Sequence, residues 1–241
     1  MPHNSETLSR RKLVTAGLAV AGATILASAS LIAAPEAKEP EVTATEDLMR
    51  EHGVLRRALL VYFETVPRIR SNAGAIDALQ LYKTAQLFRD FGENYHERML
   101  EEQHIFPIVK KTAGEAANYV PILIAQHDRG REITAYILQV TKSGKIATAN
   151  AEPMARALDA FVLMYQNHAA REDTVVFPAW KTHFTYKQLD ELSDQFEDIE
   201  HKMFGKDGFD DAVSKMAAIE NMLGYADISQ FTPPPPPKVL P

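Results

Sequence analysis

The chain has 241 residues, of which 46% are hydrophobic and 24% charged, with a formal net charge of −6 and no cysteine. That length suits one ordinary domain with appendages, and an acidic balance with no basic, aromatic-interleaved patch argues against nucleic-acid binding. Without cysteine there is no disulfide and no thiolate-held zinc, haem or iron–sulfur cluster, so a bound metal must use His, Asp, Glu, Tyr or water.

At the amino terminus Arg10, Arg11 and Lys12 precede a weakly apolar stretch, Leu13 to Ala34, rich in Ala, Gly and Thr. A charged start, a mild hydrophobic segment and small residues near its end predict an export signal over residues 1–34. Paired arginines fit the twin-arginine type, which carries folded cargo and implies a periplasmic location. Cleavage is expected near Ala29 or Ala34; the alternative is an uncleaved segment that tethers the chain to the membrane. Residues 35–44, rich in Pro, Glu and Ala, read as a linker.

Helix formers dominate the chain beyond residue 44, and Val, Ile and Thr build no sustained alternation, so the fold class is all-α. Four long helical segments are predicted at 45–66, 76–110, 115–142 and 152–183, separated by Pro67 with Ser71 to Gly74, by Thr112 to Gly114, and by Ser143 to Pro153. Short connections between long helices imply an antiparallel up-down four-helix bundle over 45–183. Two shorter helices, around 186–203 and 208–223, form a carboxyl-terminal extension (184–230). A Pro-rich tail (231–241) reads as polyproline II without a core of its own.

Within the bundle a pattern occurs twice. His96 and Glu101 precede Phe106-Pro107, and His168 and Glu172 precede Phe177-Pro178; each Glu lies five residues before its Phe, and His52 and His127 stand upstream. A lone buried histidine is more often hydrogen-bonded core than ligand, but two matched sets look like halves of one site. Imidazole with carboxylate suits iron or a similar divalent metal. On the fourth segment Leu158, Phe161, Tyr165, His168, Glu172 and Val175 make one stripe. A glutamate buried there needs positive charge beside it.

His168 and Glu172, four apart, are about 40° apart around a helix and reach one ion. His96 and Glu101, five apart, diverge by roughly 140° on a straight helix, and a single π-bulge would restore a common face. The competing set is Glu97, Glu101 and His104 on a regular helix, with Glu-x-x-His spacing. The order of the other copy favours His96.

These residues resemble the hemerythrin family, in the branch of HHE cation-binding domains. The likeness rests on Glu51-His52-Gly53-Val54-Leu55-Arg56, on His96 with Glu101 and Phe106-Pro107, on Gln126-His127-Asp128, and on His168 with Glu172 and Phe177-Pro178, over roughly residues 45–183. The resemblance implies two non-haem iron ions inside a four-helix bundle. The ligands it implies are His52, His96, Glu101, His127, His168 and Glu172, with both glutamates bridging. It also implies a small diatomic partner such as dioxygen, for storage, delivery or sensing. An enzyme that reduces peroxide or nitric oxide or oxidises ferrous iron, or an iron buffer, is the alternative.

Two departures stand out. Arg131 occupies the place of a second third-helix histidine, so one iron is expected to be a ligand short. The five-residue step in the first copy is one that the family uses on its last helix. Glu197 and His201 read as a solvated face rather than an extra ligand pair, and Asp173 as outer support or surface. Tyr62, Tyr95 and Tyr165 read as hydrogen-bonded core within reach of the ligand stations, and Trp180 as packing.

Overall fold

The computed structural model describes residues 42–112 and 114–238, and among these every regular element is a helix. The export signal, residues 35–41 of the linker and the last three residues of the tail lie outside the described residues. Among the described residues no helix is long and apolar enough to cross a membrane.

Helix α1 spans Ala44–Asn72. Thr43 caps it by accepting from the Glu46 N–H at 3.3 Å, and Glu46 and Asp47 place negative charge at its positive end. The helix runs through Pro67, six residues past its expected end. The proline ring removes the bond to the Phe63 carbonyl, and the rest of the helix continues past it.

A short 3₁₀ turn leads to α2 (Ala78–Leu87), capped by Asp77. That helix widens into a π-helix, Phe88–Ile105, and closes with α3 (Phe106–Val109). Gly114, at φ 112°, turns the chain into α4 (Glu115–Thr141). Helix α5 (Thr148–Arg171) starts four residues earlier than predicted, because Pro153 is accommodated near its beginning, where few backbone bonds are lost. A second, short π segment, Glu172–Val176, joins it to α6 (Phe177–Lys181). The extension is α7 (Tyr186–Phe204), opened by a Thr185–Gln188 capping box and stopped by left-handed Gly205, then α8 (Gly208–Leu223).

Arg70, near the end of α1, pairs with Glu152 near the start of α5 and with Asp159 midway along it, whereas His52, near the start of α1, meets Asp173 beyond the end of α5. These two helices therefore run in opposite directions. Tyr62, Phe88, Phe161 and Tyr165 interlock in the centre through three edge-to-face contacts and one tilted one, between Phe161 and Tyr165. Helix α8 lies on α1 and α2, and α7 on α1 and the first π segment. Arg57 and Glu220 make a two-pronged ion pair that fastens α8 to α1.

Candidate metal centre

Both Phe-Pro signals act on the backbone first. In each copy the Phe N–H bonds five residues back: Phe106 to the Glu101 carbonyl, Phe177 to the Glu172 carbonyl. The proline after each Phe has no N–H, and its ring crowds the carbonyl four residues back, which favours the wider turn. Where the sequence predicts a single bulge beside His96, π bonding extends over Phe88–Ile105, and the second copy has its own π turn. The wide turn brings His96 and Glu101 to one face, with Nε2 and Oε1 3.3 Å apart. His168 and Glu172 meet at 3.1 Å across an ordinary four-residue step.

The structure brings all six sequence-derived candidates together. His52 and His96 face each other with Nε2 atoms 3.0 Å apart, and His127 and His168 do so at 3.1 Å. Each glutamate reaches both pairs. Glu101 lies 3.3 Å from His96 and 3.2 Å from His127, while Glu172 lies 3.5 Å from His52 and 3.1 Å from His168. All six are buried. None of the four carboxylate oxygens is aligned to accept a hydrogen bond from a protein group, despite these short approaches. Polar atoms that converge without bonding one another would be costly in a dry core. They suit cations lying between them, so the donor set fits a pair of divalent ions.

The outer faces of the four rings are all engaged. Nδ1 of His52 donates to Asp173 at 2.7 Å, His96 to Glu51 at 2.6 Å, His127 to Glu102 at 2.9 Å and His168 to the Gln126 amide oxygen at 2.9 Å. A proton held at Nδ1 leaves the Nε2 lone pair pointing inward, as a metal requires. Arg56 grips Asp173 and Arg131 grips Glu102. Phe177 stacks on His52 and Phe106 on His127, at 5.4 and 5.5 Å between ring centres. Each Phe thus packs the histidine contributed upstream of the other copy.

Sequence reading left the roles of Glu51, Glu102, Gln126 and Arg56 unassigned. The one signal for them was adjacency: Glu51-His52, Glu101-Glu102, Gln126-His127 and Glu172-Asp173 each pair a candidate ligand with its neighbour. Arg131 also bonds Glu97 at 3.1 Å, and Tyr165 donates to the other oxygen of Glu97 at 2.7 Å. Glu97 reaches the cluster only through the outer nitrogen of His127, 3.9 Å away. His104 lies half-buried against the Phe196 ring, and among the described residues no group of potential metal ligands includes His104, His183 or His201.

Charge in the metal-free centre follows from burial and proximity. Burial opposes the ionised form of Glu101, but His96 and His127 outweigh it and hold the carboxyl well below its ordinary range. Burial, reinforced by the Glu101 charge, pushes Glu172 well above that range. His127 is pushed up to about 10, because Glu97, Glu101 and Glu102 together outweigh its burial. Burial and the neighbouring His127 charge hold His168 well down. The two carboxylates cannot both ionise easily without more positive charge between them.

A small cavity of about 10 Å³ touches the cluster, walled by Leu55, Leu59, Ala169, Tyr165 and Glu97. It is close to the lower limit for one water-sized molecule. Larger clefts, of 380 to 640 Å³, lie on the surface away from the histidines.

The model of the hemerythrin HHE cation-binding domain matches residues 43–180. Uncharacterized proteins of Mycobacterium bovis and of two strains of Mycobacterium tuberculosis are each 42% identical over 200 residues, covering 83% of this chain and 77% of theirs. No solved structure gives a significant match.

Proposed function

We propose, for a chain that belongs to the hemerythrin HHE cation-binding domain family, a centre of two non-haem iron ions that binds dioxygen or a related diatomic. One ion is assigned to His52 and His96 and the other to His127 and His168, with Glu101 and Glu172 bridging. The supporting observation is that each glutamate approaches both histidine pairs. The scaffold in this reading is an antiparallel up-down four-helix bundle built from α1, the α2–π–α3 unit, α4 and the α5–π–α6 unit. Two imidazoles and two shared carboxylates would hold each ion, and iron so held would supply a site at which a small guest binds.

Bound iron would supply an electron-rich, open position for such a guest. The chain's own part is to exclude water with Leu55, Leu59 and Ala169 and to hold the rings rigid from behind. Export through the twin-arginine route to the cell envelope belongs to the same proposal, since a folded carrier can take its metal before transport.

An enzyme is the second reading, favoured by one observation. Burial pushes the Glu97 carboxyl up to about 7, and Tyr165 holds it beside the small cavity, so an exchangeable proton lies near the guest position. Reduction of peroxide or nitric oxide, or oxidation of ferrous iron, would use it; an iron buffer would not.

Metal analysis with a visible spectrum of the anaerobically reduced protein, before and after air, tests these readings. About two irons per chain and a reversible new band are expected for a carrier. Two irons with irreversible oxidation select the enzyme or buffer, and absence of iron overturns the centre. Cell fractionation tests the location.

A further inference from the structure

We propose that the carboxyl-terminal extension, α7 and α8, is a positioning device for one half of the centre, acting through Phe204, Tyr95 and Glu51 on His96. This rests on the metal-binding reading above. The family match ends at residue 180, so Phe204 lies outside the matched domain.

The connection is short and complete. Phe204, the last residue of α7, packs its ring edge-on against Tyr95, 5.5 Å between centres and 76° between planes, with Phe91 as a neighbour of both. Tyr95 is fully buried, and its hydroxyl donates to Glu51 Oε1 at 3.1 Å. The other Glu51 oxygen, Oε2, accepts from His96 Nδ1 at 2.6 Å. Removing the ring or the hydroxyl takes away the Tyr95 hold on one oxygen of Glu51, the carboxylate whose other oxygen sets the orientation of His96.

Phe204 is itself clamped. A Cβ added at Gly208, the first residue of α8, would come within 2.4 Å of the ring, so α8 starts directly against it. Glu200 closes the α7–α8 corner by accepting from the Phe209 N–H at 2.8 Å. The Arg57–Glu220 pair then ties α8 to α1, the helix that carries Glu51 and His52.

Among the described residues the other half shows no such link: His168 leans on Gln126, a neutral amide on α4, and no hydrogen bond joins that pair to the extension. Both rings of the His52–His96 pair are backed by carboxylates, Asp173 and Glu51, whereas His127–His168 has one carboxylate and one amide. The extension therefore bears on one ion, the one whose two ring ligands are both backed by carboxylates.

The test uses the full-length protein with Phe204→Leu and Tyr95→Phe, and Phe231→Ala, at an exposed position just beyond the extension, as control. Competitive titration with Co²⁺ against a chelator is expected to show one of two ions weakened about tenfold by either variant, with the other unchanged and the control like wild type. In the metal-free protein, imidazole ¹⁵N signals of His96 and His52 are expected to shift while those of His127 and His168 stay. Equal weakening of both ions, no weakening, or equal shifts in all four rings overturns the proposal. Should Phe204→Leu fail to fold, Phe204→Met removes the same ring and is read by the same two measurements, while Tyr95→Phe tests the step from Tyr95 to Glu51. A wild type that binds fewer than two ions contradicts the two-iron reading instead, and the metal-free spectrum still decides the coupling.

Discussion

Arg56 and Arg131 do the same work in opposite halves of the molecule. Each stands four residues after a buried histidine, and each holds a carboxylate, Asp173 or Glu102, that accepts from that histidine's outer nitrogen. Arg131 thus occupies the position expected of another histidine because it fixes His127 from behind. Arg131→Ala is expected to lower metal affinity by about tenfold to a hundredfold, read by chelator competition, with Arg56→Ala behaving alike. Unchanged affinity in both would refute this role.

The four inner histidines and His104 make a direct contrast. His168→Ala is expected to abolish stoichiometric iron binding, whereas His104→Ala leaves it intact, since His104 packs against Phe196 outside the cluster. Metal analysis of the two purified variants settles the matter.

Metal removal leaves converging carboxylates and imidazoles in a dry core. With free metal about 100-fold above Kd, binding stabilises the fold by about 2.7 kcal/mol per ion, so removing two ions by chelation is expected to lower Tm by roughly 10–20 °C for a chain of this size. Calorimetry with and without chelator measures it.

Acidity gives that effect a direction. In the metal-free fold His127 is raised from 6.5 to about 10 and Glu97 from 4.5 to about 7, so the folded chain holds protons that the unfolded chain releases. Their stabilisation is complete below the unfolded values and is lost as pH rises through the folded ones. His52 and His168, whose rings burial pushes down, are neutral in both states above pH of about 7 and do not alter the slope. The metal-free Tm is therefore expected to fall from about pH 7 to 10. Metal affinity should rise over the same range, because the His127 and Glu172 protons must leave. Titration calorimetry in buffers of different ionisation enthalpy should register more than one proton released per chain.

Gly130 admits Tyr165 to its place. A Cβ at Gly130 would stand 2.0 Å from the Tyr165 hydroxyl, so Gly130→Ala must displace the ring from Glu97. A loss of about 1–3 kcal/mol is expected, the usual cost of overfilling a packed core. Wild-type stability in this variant would show that the contact has no such constraint.

Much of the centre was legible in the sequence because the signals were local. The stripe from Leu158 to Val175 and the four-residue step from His168 to Glu172 follow ordinary helical periodicity. The five-residue step at His96 already demanded a wider turn. What periodicity could not convey was its extent, since π bonding from Phe88 to Ile105 depends on tertiary packing as well as on Pro107. Pro67 misled for a related reason: whether a helix continues past one lost backbone bond is decided by the packing of the whole fold. The partners of the outer nitrogens were hidden by distance along the chain, as with Asp173, 121 residues from His52.

That separation governs the order of assembly. His52 is braced by Asp173 and stacked by Phe177, while His127 is braced by Glu102 and stacked by Phe106, so the His52 half is finished only by residues near the end of the bundle. A ribosome-bound chain that stops short of His168 carries the other three cluster histidines yet lacks the second bridge and the brace for His52. Firm metal retention is therefore expected only of a chain synthesised through residue 177.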